Sequence, residues 1–422
     1  QIRGNNTLTF GDILVGEVWV CSGQSNMEWW VRVSADAELQ TVSANYPKIR
    51  FLSVPKVASQ EPKDNFKGSW HLCNPQTVAD FSAVAYSFGR RLHNTLGVPV
   101  GLIDNAWGGS AVEAWIPRDA LEGAGPYDEL LTSWDEEAAA MTDQIFATEV
   151  AAYKKWVADG EPGAKRLAPR DSRVSNHRPA NLFNGVLHPI IGYGIRGAIW
   201  YQGEANARRA YQYRSLFPLM ITTWREHWQQ GDFPFYWVQL ADFKQEALEP
   251  RDSAWAELRE AQSMTLSLAN TGQAVIIDAG EGRDIHPRDK QTVANRLARI
   301  ALARDYGIEM AWQSPSYDSM RIDENAISIQ LKHVSEGGLH TFDVYEATGF
   351  EIAGEDQKFV WAKAKLDGKN KIKVSSPHVP NPVAVRYAWG DNPVVNLQDR
   401  NGLPVTPFRT DDWPGITVNN IK

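Results

Sequence analysis

The chain has 422 residues, longer than one typical domain, with 43% hydrophobic and 22% charged residues, the composition of a folded globular protein. Its 43 Lys and Arg against 51 Asp and Glu leave a net charge of −8 with no long basic run, which argues against nucleic acid or an anionic membrane as the main partner. No apolar run approaches the roughly 20 residues needed to span a bilayer, and two cysteines with nine scattered histidines form no metal-type cluster, so neither metal nor cofactor is expected.

The chain opens at Gln1 without an initiator Met or a signal peptide, which a processed secreted protein and a trimmed chain both explain; the expected location is secreted or periplasmic. "NTLTFGDILV" reads as strand ahead of the first core strand, "GEVWVC". Next come "KIRFLSV", "VPVGLID", "GAIWYQG", "FYWVQLA" and "AVIIDAG". Most are near-continuous apolar runs, as a parallel sheet covered on both faces requires. Helical patterns separate them: "DFSAVAYSFGRRLHNTLG" stopping at Gly97, "YRSLFPLMITTWREHWQQG" at Gly231 and "AWAELREAQSMTLSLANTG" at Gly272. A further helix, "PRDKQTVANRLARIALARDYG", opens with Pro287 in its first turn. Alternating strands and helices imply right-handed crossovers and an α/β, doubly wound parallel sheet. Residues 120 to 180 interrupt the alternation, with a capping box at Ser133 and Glu136, then Leu130, Trp134, Met141, Ile145, Val150, Tyr153 and Val157 at near-helical spacing. With the polar "DGEPGAKRLAPRDSRVSNHRP", this reads as a helical insertion whose long loop lies near the ligand side. From about residue 315 short strands follow, "AISIQLKHV", "TFDVYEA", "KFVWAKAKL", "KIKVSS" and "AVRYAW", which make a small antiparallel β unit at the C-terminus. The expected division is a catalytic domain over 12–312, carrying the insertion, and a small β domain over 313–422 joined by residues 1–11. Cys21 and Cys73 read as buried free thiols, with a disulfide as the alternative.

Four polar groups fall just past the carboxyl ends of expected parallel strands. Ser25 follows the first, and "NAWGGS" (Asn105 to Ser110) follows "VPVGLID". Gln202 to Asn206 in "YQGEAN" follow "GAIWY", and Asp284 with His286 in "GRDIHP" follows "AVIIDAG". Open α/β sheets bind ligands outside those ends, so the four converge on one crevice. A serine hydroxyl needs an adjacent base, for which His286 is the candidate, and the base needs an acceptor to fix its tautomer, for which Asp284 is near enough in sequence. The backbone N–H groups of Ser25 and Gly109, with a side-chain amide from Gln202 or Asn206, would hold a developing oxyanion. Taken singly, "GQSN" is a turn, "DIHP" a helix start and Glu204 a solvated loop charge. Most of the 17 Trp read as core, but Trp29, Trp30 and Trp107 flank the site and are candidates for substrate binding, as are Glu204 and Asn206. Met27 stands where the nucleophile elbow of α/β-hydrolases has its second glycine, which excludes that fold.

"GEVWVCSGQSNMEW", "NAWGGSAVEAW", "AIWYQGEANA" and "DIHPRDK", in that order, resemble the sialate O-acetylesterases, a branch of the SGNH hydrolases related to certain acetylxylan esterases. The likeness covers roughly residues 12 to 300, and "AVRYAWGDNPVVNLQDRNGLPVTPFRTD" shares it. It implies a flavodoxin-like sheet and metal-free hydrolysis of acetyl esters on sugars. By the same likeness Ser25 is the nucleophile, His286 the base and Gly109 an oxyanion donor. SGNH enzymes commonly place the acid three residues before the histidine. Asp284 precedes it by two, a spacing that puts both side chains on one face of an extended segment, and Glu204 stays open as the alternative acid. The expected function is a serine esterase removing O-acetyl groups from sugars, O-acetylated sialic acid first, the partner being an O-acetylated carbohydrate and the oligomeric state left open. An acetylxylan or other plant-polysaccharide acetylesterase is the alternative, and a catalytically silent carbohydrate-binding protein the rival from another class. A helix N-terminus beside His286 would disfavour the imidazolium and keep the base neutral at mildly acidic pH. Truncating the three flanking Trp should raise KM more than it lowers turnover.

Overall fold

The structure, a computed structural model, describes residues 1–164 and 166–421; Lys165, in the polar loop of the insertion, and Lys422 lie outside it. Seven strands form the central sheet: β1 (Glu17–Gly23), β2 (Tyr46–Ser53), β3 (His71–Cys73), β4 (Val100–Asp104), β5 (Gly197–Tyr201), β6 (Phe235–Val238) and β7 (Thr271–Ala274). Their order is β3-β2-β4-β1-β5-β6-β7, parallel throughout except for the edge strand β3. The near-continuous apolar runs follow from burial on both faces. Val20, Ile103, Trp200 and Trp237 enter one core with Trp115, Phe217 and Trp224, while Trp19, Cys21, Leu102, Tyr201 and Val238 enter the other. Each large apolar side chain so buried contributes about 1.5–3 kcal/mol. Cys21 and Cys73 are both buried and unpaired.

Helices cover both faces. α1 (Ser25–Glu28) is a single turn after β1; α2 (Ala83–Leu96) and α5 (Lys290–Arg304) lie on one side of the sheet, α3 (Ala210–Trp228) and α4 (Ala254–Met264) on the other. α2 begins where the Ser82 hydroxyl accepts from Ala85 N–H and stops at left-handed Gly97. Three expected ends differ. α3 turns left-handed at Gln229, two residues before Gly231. α4 ends at Met264, and Gly272 belongs to β7, where a Cβ would come 2.6 Å from the Ile300 side chain and 3.0 Å from Tyr236. That glycine serves close strand–helix packing, not a helix stop. α5 starts at Lys290 with Asp289 accepting from Thr292 N–H, so Pro287 precedes the helix.

The insertion forms helices Arg118–Gly123, Asp128–Ala140 and Asp143–Ala158. Ser133 lies inside the second, so no capping box forms there; the chain breaks at Met141, and Thr142 caps the third helix through Ile145 N–H. In the C-terminal part, Ser316–Asp323, Ala326–Lys332, Lys371–Ser375 and Lys363–Asp367 form one antiparallel sheet. Val360–Trp361, Phe350–Ala353, Ala384–Tyr387 and Phe408–Arg409 form a second, and Leu339–Thr341 pairs with Leu397–Asp399. In "TFDVYEA" only Thr341 lies in a strand, and Ala347 makes a single bridge to Ala364. The apolar interior of these sheets includes Val275 and Ile277, just past β7. Residues 1–11 add no strand to these sheets among the described residues: Ile2–Arg3 pairs with Thr7–Leu8 as an exposed hairpin. Among the described residues no helix is long and apolar enough to cross a membrane.

β1 is central, flanked by β4 and β5. The chain fills the β2 side first and then crosses to β5, so the carboxyl end of β1 is the switch point where such sheets open a crevice.

Candidate active site

β1 runs into Gly23, whose φ of +136° is open to glycine alone; a Cβ there would lie 2.2 Å from the Tyr201 carbonyl oxygen of β5. The strand end is thus pressed against its neighbour, and the next turn carries Ser25 as the first residue of α1. Ser25 Oγ lies 2.8 Å from His286 Nε2. Asp284 Oδ1 stands 3.3 Å from His286 Nδ1 and also accepts the His286 main-chain N–H at 2.9 Å. A carboxylate beside Nδ1 keeps the ring proton there, which leaves Nε2 to accept from the serine hydroxyl. Glu204, the alternative acid, is engaged elsewhere: its Oε1 accepts from Asn26 Nδ2 at 2.6 Å, and its Oε2 is buried without a hydrogen-bond partner among the described residues.

Asn26, next to the serine, binds three segments together. Its Nδ2 donates to Glu204 Oε1 and, at 2.9 Å, to the carbonyl of Ile285, and its Oδ1 accepts from Lys290 Nζ. The Ser25 turn, the "YQGEAN" segment and the His286 loop are registered through one side chain. Lys290 is wholly buried, 5.7 Å from the Trp29 ring and 5.3 Å from the Tyr201 ring, and burial pulls its pKa down to about 7. Burial also holds Glu204 above the usual carboxylate range. His286 is pulled below its ordinary value by burial first and by the Lys290 charge second, against the opposing pull of Asp284. The direction is the one expected from sequence, and the Lys290 charge adds a cause that the sequence reading does not include.

The glycine turn after β4 is fixed from two sides. Glu28 Oε2 accepts from Gly108 N–H at 2.7 Å, and the other oxygen of Glu28 pairs with Lys56. Asn176 Nδ2 donates to Gly108 O at 2.7 Å, and His177 Nε2 lies 2.6 Å from Gly109 O. The loop of the insertion therefore reaches the site. Among the described residues the N–H groups of Ser25 and Gly109 find no acceptor.

The expected amide donors are not turned to this turn. Gln202 is fully buried, with Nε2 donating to Ser110 O at 3.0 Å and to Asn206 Oδ1 at 2.7 Å, while Tyr213 donates to its Oε1. Both amide hydrogens are used. Asn206 is 1% exposed and donates to Glu113, which also pairs with Arg209. The pair forms a buried polar floor, and the expectation of an oxyanion donor at Gln202, or at Asn206 in its place, is corrected accordingly. The three aromatics also part ways. Trp29 stacks on His286 with ring centres 4.7 Å apart and planes 15° from parallel. Trp30 is exposed with the Arg32 guanidinium 4.2 Å above it, and Trp107 packs against the core.

Sequence reading missed Gln24, Asn26, Lys290, Asn176 and His177. Gln24 accepts main-chain N–H groups of Gly203 and Ala205, both at 3.3 Å. Gln24 and Asn26 flank the serine in "GQSN" and Lys290 lies in "DIHPRDK", so position alone could have flagged them; Asn176 and His177 carry no local signal.

A family model described as carbohydrate esterase, sialic acid-specific acetylesterase matches residues 15–148 and 184–306. The sialate O-acetylesterase of Rattus norvegicus is 32% identical over 96% of this chain and 79% of its own length, and that of Homo sapiens 29% identical over 99% and 80%. Among solved structures, a carbohydrate acetylesterase from Xanthomonas citri aligns with a TM-score of 0.80 at 36% identity, covering 95% of this chain and 82% of that one.

Proposed function

Because the chain belongs to the sialic acid-specific acetylesterase family of carbohydrate esterases, and so is a carboxylic ester hydrolase, we propose that it removes O-acetyl groups from sugars by nucleophilic attack of Ser25. The observation that carries this reading is the 2.8 Å approach of Ser25 Oγ to His286 Nε2, with Asp284 at Nδ1. Ser25 Oγ bonds to the acetyl carbonyl carbon as its proton passes to Nε2, and Asp284 steadies the imidazolium. The N–H groups of Ser25 and Gly109 receive the oxyanion; one such donor is worth about 10²–10³ in turnover. The sugar oxygen leaves with the proton from Nε2, giving an acetyl-serine. A water, deprotonated by His286, then adds to that ester; Ser25 Oγ leaves, taking the proton back from Nε2, and acetate departs.

The names of the family and of the rat and human relatives make O-acetylated sialic acid the first substrate to test. A second reading, an acetylated neutral polysaccharide, is favoured by the acidic cleft described below. Acetate release from O-acetylated sialic acid and from acetylated xylo-oligosaccharides, measured side by side for the wild type and Ser25→Ala, tests both. Release from either one, lost in the variant, supports the esterase reading and assigns the sugar class; no release from any acetylated sugar would sink it.

A further inference from the structure

A cleft of about 380 Å3 opens between the 245–251 loop and the C-terminal sheets. One wall carries Trp361, 40% exposed, its ring fixed by Nε1 donation to Leu248 O at 2.8 Å, and Trp389 also lines the cleft. Glu351 also lines the cleft. Its strand neighbours Phe350 and Ile352 enter the core, and successive side chains of a strand point to opposite faces, so Glu351 points out of that core. It is 2% exposed, and its Oε2 is buried with no hydrogen-bond partner among the described residues. A buried polar atom left unpaired is costly and calls for a ligand group to fill it. Burial pushes the Glu351 carboxyl up to about 8 despite Arg386, so at neutral pH it carries a proton and offers both a donor and an acceptor. That is the complement of a sugar hydroxyl pair, and an indole face suits the C–H face of a pyranose.

The charge of the cleft selects among sugars. Arg251 stands against Glu246, Glu249 and Glu346, while Asp391 is paired with Lys244 at 2.7 Å. An anionic sugar such as a sialate would meet net negative charge; a neutral one would not. The cleft also shares a wall with the catalytic loop. Asn392, in its lining, donates to Lys244 O at 2.7 Å, and a Cβ on Gly282 would come 2.6 Å from its Nδ2. Gly282 lies two residues before Asp284.

We propose that this cleft binds a neutral pyranose unit of the polysaccharide chain whose acetyl ester is cut at Ser25, with Trp361 as the stacking face and Glu351 as the hydroxyl partner, an inference that rests on the esterase reading of Ser25. Titration calorimetry on the full-chain Ser25→Ala protein, with unacetylated xylohexaose, cellohexaose and mannohexaose and with sialyllactose, reads binding apart from turnover. At least one neutral hexasaccharide binds, sialyllactose does not, and Trp361→Ala or Glu351→Leu weakens binding about tenfold or more, with Glu351→Gln weakening it less because the amide keeps a donor and an acceptor. In the Ser25 background, Trp361→Ala lowers kcat/KM on acetylated polymer by a similar factor and leaves p-nitrophenyl acetate hydrolysis unchanged. Should that variant lose both activities through misfolding, Glu351→Leu decides in its place. Absence of binding by all three neutral sugars, binding indifferent to both substitutions, or equal binding of sialyllactose would overturn the proposal. An inert wild type on every acetate ester would instead sink the esterase reading and leave the binding result standing.

Discussion

Ser25 and His286 are 261 positions apart, and the fold brings them to 2.8 Å. The serine and histidine were legible because each sits in a polar motif just past an apolar strand. Their settings were not, because burial is a property of the folded chain. His286 owes its lowered proton affinity to burial and to Lys290, so its ring stays neutral as pH falls below the ordinary histidine value; as the proposed base it should place the acid limb of kcat/KM below pH 6.5. Lys290→Met removes the second cause and should shift that limb to higher pH; a limb that stays put would leave burial as the whole cause. Trp29 also behaves differently from a sugar platform. Its ring covers the imidazole, so Trp29→Ala exposes His286, moves the limb upward and lowers kcat by about tenfold with less effect on KM. A rise in KM with unchanged kcat would return Trp29 to the substrate-binding role expected from its position in the sequence. Gln202 shows the opposite failure. Its place nearest a strand end suggests a donor, yet burial and two spent hydrogens make it part of the floor.

At the scale of elements, the order of strands and helices followed from apolar runs and their spacing, because a parallel sheet covered on both faces leaves a near-continuous pattern. Boundaries did not. A glycine after a helical pattern signals a stop only if the backbone there turns left-handed, as at Gly97; at Gly272 the same residue admits Ile300 and Tyr236. Gly23 belongs to the second kind with a positive φ as well, so Gly23→Ala should cost on the order of 3 kcal/mol or more in urea unfolding. An unchanged midpoint would show that β1 and β5 can separate without loss. Asp289 caps α5 away from the reacting atoms, and Asp289→Ala should cost about 1 kcal/mol. Activity per folded molecule should be kept.

At the scale of the whole molecule, the C-terminal sheets are built into the α/β body. Val275 and Ile277 enter their apolar interior, Arg409 binds Glu260 at 2.6 Å, and Glu257 accepts the Ile416 N–H at 2.7 Å. Thermal unfolding should therefore show one transition with calorimetric and van't Hoff enthalpies in agreement; two separated transitions would mean that the units hold independently. The insertion is the other large-scale feature. Residues 149–183 fall outside the matched family model, yet Asn176 and His177 in that stretch hold the glycine turn. A loop with little periodicity offers no sequence signal for such a contact. The central claim, covalent catalysis by Ser25, is tested most directly by rapid quenching during turnover of an acetylated sugar, with mass analysis of the peptide bearing Ser25. The account predicts one added acetyl group on that peptide in the wild type, none in Ser25→Ala, and no acetate from the variant; acetate released by Ser25→Ala at the wild-type rate would contradict it.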